Sequence, residues 1–258
     1  MTTVDVQPCG LEMAERENRR AVVAVLYGPG INCHEETAFA IELVGLSAKI
    51  VNFQHVMRGD ERLTDYQAVV VPGGFSWGDH LGSGRIFGLH LIACAADQLR
   101  ELVDTGKPIL GICNGFQILV ETGLLPDGTV GERQAALLQN KSARFESRWV
   151  ELLVTDASSI WTQGLQGCVL RMPVAHGEGR LFWEKDDVIR PCLCYSRQGR
   201  PTEEYPYCPS GAPGGIAGIR DSTGLIFGLM PHPERACLPW HGSTDGIQIF
   251  RNLARYLQ

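Results

Sequence analysis

The chain has 258 residues, 44% of them hydrophobic and 20% charged, with a formal net charge of −6. That length buries a full core, and the acidic balance argues against a broad nucleic-acid footprint and against docking on an anionic membrane surface. The nine Cys are odd in number and form no CxxC pair, which excludes a disulfide framework and a structural zinc site; most read as small buried hydrophobes in a reducing compartment.

Met1 to Arg20 carries Asp5, Glu12, Glu15 and Glu17 and lacks the apolar centre of a signal peptide. It reads as a polar extension, 1–20, ahead of one domain, 21–258. No apolar run approaches the roughly 18 residues of a membrane span, so a cytoplasmic protein is expected.

The β-branched run Ala21–Tyr27 predicts a strand buried on both faces, ending at the turn Gly28-Pro29-Gly30. Apolar spacing predicts a helix over Glu35–Leu46, with acids in its first turn. Ala48–Phe53 and Ala68–Pro72 read as strands, followed by a Gly-rich loop over Gly73–Gly84. A long helical pattern spans Ile86–Val103, a fourth strand Pro108–Ile112 and a helix Asn114–Glu121. This alternation predicts a doubly wound α/β sheet. The second half is strand-like at Arg148–Val154, Cys168–Ala175, Gly215–Ile219 and Gly224–Met230, and ends in an amphipathic helix over Gly246–Leu257. It reads as a β-rich extension of the same sheet.

Gly111-Ile112-Cys113-Asn114-Gly115 sits where a strand turns into a helix. A nucleophile on such an elbow needs small neighbours, because strand and helix approach closely, and the helix N-terminus favours the thiolate. A buried Cys in a Gly-bounded strand end fits the same residues. Cysteine catalysis also needs a base and a group to orient it. Pro231-His232-Pro233-Glu234 offers both: two residues apart in an extended segment, Glu234 would hold the imidazole of His232. Acyl transfer further needs donors for an oxyanion. Gly73 and Gly74, which an ordinary tight turn would also explain, and the N–H of Asn114 are the candidates. His34, Glu35 and Glu36 are metal ligands by type, yet an acid-rich helix start explains them; no metal site is assigned. The chain has no GxxxxGK[ST] phosphate loop.

Together, Val71–Asp79, Gly111–Gln117, Pro173–Gly179 and Met230–Arg235 resemble the class I, triad-type glutamine amidotransferases. More narrowly, with Gly28–Cys33 and Gly242–Gly246, they resemble the glutaminase subunits of phosphoribosylformylglycinamidine synthase. The likeness runs over residues 21 to 258. It implies a flavodoxin-like fold, Cys113 as nucleophile, His232 as general base and acid, Glu234 as its orienter and Gln117 in contact with bound glutamine. It also implies a partner synthetase, with or without a small third subunit, that carries ATP and magnesium while this chain holds no cofactor. Rival readings are a glutaminase feeding another acceptor, a Cys-dependent peptidase or hydratase, and a non-catalytic scaffold. His176–Gly179 reads as a loop near the partner or the glutamine pocket. The chain departs from the family at Cys208-Pro209-Ser210-Gly211-Ala212, where Asn-Pro-Asn-Gly-Ser is usual.

Overall fold

A computed structural model describes residues 20–185 and 188–258. The expected polar extension, Arg20 apart, lies outside the described residues. The first half contains β1 (Val22–Tyr27), α1 (His34–Leu43), β2 (Ser47–Asn52), α2 (Phe53–Arg58), β3 (Ala68–Val71), α3 (Arg85–Asp104), β4 (Ile109–Ile112) and α4 (Asn114–Glu121). The second contains β5 (Ala135–Leu138), β6 (Glu146–Val154), β7 (Val169–His176), β8 (Arg180–Trp183), β9 (Arg190–Arg197), β10 (Arg200–Pro201), β11 (Ile216–Arg220), β12 (Ile226–Leu229) and α5 (Ile247–Leu257).

Ten strands form one sheet, in the order β2-β1-β3-β4-β12-β11-β9-β6-β7, with β10 on β9; β5 and β8 form a separate pair. The first five strands are parallel, and from β11 onward every neighbour is antiparallel. The order 2-1-3-4 followed by the last strand is the flavodoxin-like arrangement expected. Strands β3, β4 and β12 are buried at every residue, as continuous apolar runs in a sheet covered on both faces must be. The helices fall into two groups: α1 meets α5, while α3 packs on α2 and α4, and α4 lies across β3, β4 and β12. The apolar stripe of α5, with Ile249, Phe250 and Leu253, is fully buried, and its Asn252 donates to the carbonyls of Trp161 and Gln163.

Two expectations are corrected. The first helix stops at Leu43 rather than Leu46, because Gly45 turns left-handed (φ +86°) and its N–H closes on the Glu42 carbonyl. The second strand stops at Asn52, whose side chain accepts the Gln54 N–H at 2.9 Å and caps α2, a helix with no clear period in the sequence. Most of the described cysteines are buried as expected, namely Cys33, Cys113, Cys192, Cys194, Cys208 and Cys237, while Cys94 and Cys168 are exposed.

Candidate active site

The loops that follow β1, β3, β4 and β12 leave the carboxyl ends of four neighbouring parallel strands. Their register is aligned, with Val71 beside Gly111 and Ile112 beside Leu229. Ligands of open α/β sheets bind outside these ends, and here the loops carry Cys33, Gly73 with Gly74, Cys113, and His232 with Glu234.

Cys113 caps α4 with φ +51° and ψ −105°, a strained backbone for a residue with a Cβ. Its N–H is held by the Leu229 carbonyl at 2.8 Å. The flanking glycines are obligatory. A Cβ on Gly115 would stand 1.8 Å from the Val71 carbonyl oxygen, and one on Gly111 2.7 Å from that of Gly115. The thiol is 5% exposed and donates to the Ala175 carbonyl at 3.5 Å.

The imidazole of His232 bonds Glu234 Oε1 through Nδ1 at 2.6 Å, and both residues are buried. The pair is made across a tight turn at Pro233–Arg235 rather than along an extended segment, so the side-chain meeting expected from alternation has a different geometric cause. The backbone N–H of His232 donates to the Pro173 carbonyl on β7 at 2.8 Å, fixing the base against the antiparallel part of the sheet. Burial pushes the imidazole pKa down; the Glu234 carboxylate and the facing Cys113 and Cys33 thiols outweigh it and hold it well above the ordinary histidine range. Nε2 is buried without a hydrogen-bond partner among the described residues. A base nitrogen without a partner is the loose resting geometry common before substrate binds.

The Gly73 carbonyl accepts the N–H groups of Asn32 and Cys33, at 3.4 and 3.1 Å. In a trans peptide the N–H of Gly74 then points the opposite way. That N–H and the one on Asn114, at the start of α4, make no backbone hydrogen bond among the described residues. Gly73 leaves no room for a side chain: a Cβ would sit 2.8 Å from His232 Cε1 and 3.1 Å from Cys33 Sγ.

Behind the nucleophile, Asn114 Nδ2 donates to Gln117 Oε1 at 2.9 Å and Gln117 Nε2 to the Glu178 carbonyl at 2.6 Å. Glu178 Oε2 accepts the Ser83 N–H at 2.9 Å, tying the Gly-rich loop to the end of β7. Burial, and after it the Glu178 charge, raises the Asp79 carboxyl above the usual range. His176 is a strut: Nδ1 meets Asn140 Oδ1 at 3.0 Å and Nε2 the Tyr195 hydroxyl at 3.4 Å. The Cys208–Ala212 stretch is a turn whose Cys208, Ser210 and Ala212 are buried; the Ser210 hydroxyl accepts the Ala212 N–H.

Burial, reinforced by His232, depresses the His176 pKa from 6.5 to about 3. The unfolded chain therefore binds a proton that the folded chain refuses, and stability is lost as pH falls below 6.5. The expected slope from this one group is about 1.4 kcal/mol per pH unit. Urea midpoints measured from pH 7 downward should fall more steeply for the wild-type chain than for His176→Gln; equal slopes would show that His176 is protonated in the folded state.

All seven residues named from the sequence, Cys113, His232, Glu234, Gly73, Gly74, Asn114 and Gln117, lie on this face. Sequence reasoning missed Cys33, Ala175 and the Asp79–Ser83–Glu178 contacts. The Cys33 position was matched to the family without a role; the others act through carbonyls or a folded loop and leave no spacing to read.

A family profile, the CobB/CobQ-like glutamine amidotransferase domain, matches residues 20–257. The chain belongs to this family of glutamine amidotransferases. Its relatives include phosphoribosylformylglycinamidine synthase subunit PurQ of Methanococcus maripaludis, 42% identical over 83% of this chain and 82% of that protein. The Pyrococcus furiosus subunit of the same name is 40% identical over 91% of this chain and 98% of its own length. Among solved structures, PurLQS from Thermotoga maritima superposes with a TM-score of 0.78 at 34% identity, covering 93% of this chain and all (100%) of the matched one.

Proposed function

We infer that the protein is the glutaminase subunit of phosphoribosylformylglycinamidine synthase. The observation that carries this is a strained Cys113 facing a buried His232–Glu234 pair, in a chain whose full-length relatives bear that subunit's name. Cys113 attacks the side-chain amide carbon of glutamine. The oxyanion is taken by the N–H groups of Gly74 and Asn114, with Gly73 shaping the approach. His232 passes the thiol's proton to the amide nitrogen, the C–N bond breaks, and ammonia leaves a γ-glutamyl thioester on Cys113. Water, deprotonated by His232, then releases glutamate and restores the thiol. Glu234 fixes the tautomer in which Nε2 is the base. Gln117 sits one turn along α4 from the nucleophile, where it contacts the bound glutamine.

Ammonia passes to the synthetase, which aminates an ATP-activated formylglycinamide ribonucleotide; the PurLQS neighbour supports a partner large subunit and a small third one. ATP and magnesium belong to that synthetase, since this chain has no phosphate loop. No helix among the described residues is long and apolar enough to cross a membrane, and we place the complex in the cytoplasm.

A subunit that feeds a partner gains nothing from hydrolysing glutamine alone. Glutamate release by the isolated chain should be slow and should rise at least about tenfold, a 1.4 kcal/mol change in barrier, when synthetase, ATP and acceptor are added. Equal turnover with and without them would refute the coupling.

A further inference from the structure

The loop after β1 brings to the site a thiol that none of the steps above uses. Cys33 is 1% exposed, and its Sγ, a His232 ring nitrogen and a Glu234 carboxylate oxygen lie within 4.8 Å of one another. Arg235 Nη2 donates to that sulfur at 3.0 Å, and Arg235 Nε and Nη2 both donate to Glu36 Oε1 at 3.3 Å. The guanidinium is thereby kept 3.8 Å from Glu234 Oε1, while Glu234 Oε2 is buried with no hydrogen-bond partner among the described residues. An arginine next to a buried carboxylate with a free oxygen ordinarily closes on it as a bidentate pair. Here that pair is not made, and the arginine's donors go instead to a thiol and to a half-exposed glutamate.

We propose that Cys33 is a positioning residue that, with Glu36, holds Arg235 off Glu234 and so leaves the whole carboxylate charge to act on His232. Burial, opposed by His232 and Arg235, raises the Cys33 pKa, so the spacer is a neutral thiol that accepts a hydrogen bond and adds no charge of its own. Were Arg235 to close on Glu234, it would compete with Nδ1–H for the carboxylate and cancel the field that keeps the imidazole protonatable.

The groups that face His232 are Glu234 on its own turn, Cys33 after β1, Cys113 on the elbow and His176 at the end of β7, with Arg235 and Cys237 facing Glu234. His176 is uncharged above about pH 3 and the Cys237 thiol is pushed up to about 12. Near neutral pH Cys33 then bears on the imidazole by two routes, its own contact with the ring and the Arg235–Glu234 distance, and Glu36→Gln, which leaves Cys33 in place, separates them.

The consequence for turnover rests on His232 being the base; the placement of Arg235 does not. The test is therefore read first on the imidazole. In the full chain, with histidines carbon-13 labelled and the His232 signal assigned by its loss in His232→Asn, the ring is titrated by NMR. Cys33→Ala should lower the His232 midpoint by about one pH unit or more. Cys33→Ser, which keeps an acceptor for Arg235, should stay near wild type. Glu36→Gln, a surface change, should shift it in the same direction by less, and adding Arg235→Met to Cys33→Ala should restore the midpoint. An unmoved midpoint in Cys33→Ala or in Glu36→Gln, or one that Arg235→Met fails to restore, overturns the proposal. The second readout is the pH dependence of Cys113 alkylation by a diazoketone analogue of glutamine, in which the thiol's proton goes to the diazo carbon, N2 leaves and a thioether forms. If the imidazole shifts and the alkylation profile does not follow, the spacer stands and the base assignment falls. If alkylation falls while the imidazole stays put, the base assignment stands and the spacer falls.

Discussion

Cys113→Ala in the assembled complex is expected to abolish glutamine-dependent synthesis and to spare synthesis from free ammonia. Removing the thiol removes the thioester route itself, so the loss should be roughly four to six orders of magnitude, as when a triad nucleophile is deleted elsewhere. The synthetase needs ammonia and not the thiol that releases it. Ammonia-dependent synthesis should therefore continue and should improve as pH rises and more ammonia is neutral. Glu234→Gln should be milder, about 10⁴-fold, because the amide still contacts Nδ1 but no longer favours the right tautomer or the imidazolium. The measurement is product formation with glutamine or with ammonium salts, side by side, for wild type and both variants. Glutamine-dependent synthesis surviving in Cys113→Ala would mean that another residue is the nucleophile. Loss of the ammonia reaction as well, in a complex that still assembles, would mean that this chain does more than supply ammonia.

The second large effect is expected at a residue with no functional group. A Cβ on Gly115 would lie 1.8 Å from the Val71 carbonyl oxygen and 2.6 Å from its carbon, backbone atoms of β3 that have nowhere to go. Gly115→Ala must push α4 off the sheet or unwind its first turn. Overpacking a core by one methyl costs about 1–3 kcal/mol, and more where backbone is struck. The same displacement moves Cys113 and the N–H of Asn114, so acylation by a glutamine analogue should fall together with the urea midpoint. Gly177→Ala is the contrasting variant. Its Cβ would have no neighbour nearer than Phe145 Cδ2 at 3.9 Å, and its stability should stay within about 0.5 kcal/mol of wild type. A Gly115→Ala chain as stable and as reactive as Gly177→Ala would refute the elbow as the organiser of the site.

The parts of the site legible in the sequence are those whose chemistry is local. The glycines at 111 and 115 announce the elbow because a tight strand-to-helix turn admits little else. Pro231–Glu234 announces the base and its orienter by residue type, although the segment reads as extended and is a turn. The parallel half was legible too, since β1, β3 and β4 are unbroken apolar runs. Strands β5, β8, β9 and β10 were not. β9 has one arginine and one proline at its start and two cysteines at its centre, and its buried residues do not alternate. β5 and β8 hydrogen-bond as strands only to each other, apart from the main sheet. Cys33 was invisible as a positioning residue because its partners, Glu234 and Arg235, stand some 200 positions away in the sequence. Only the sheet order makes them neighbours.

That sheet order also sets when the site comes into being. Strand β12 follows every other strand in the chain yet lies between β4 and β11, at the seam of the parallel and antiparallel halves. Until it is synthesised and inserted, the two halves have no shared edge, the elbow lacks the Leu229 carbonyl that holds the Cys113 N–H, and the base is missing. Such non-local pairing is slow to form. A nascent chain thus carries the thiol long before it carries the means to use it, and the closing of the sheet and the birth of the triad are one event on the folding pathway.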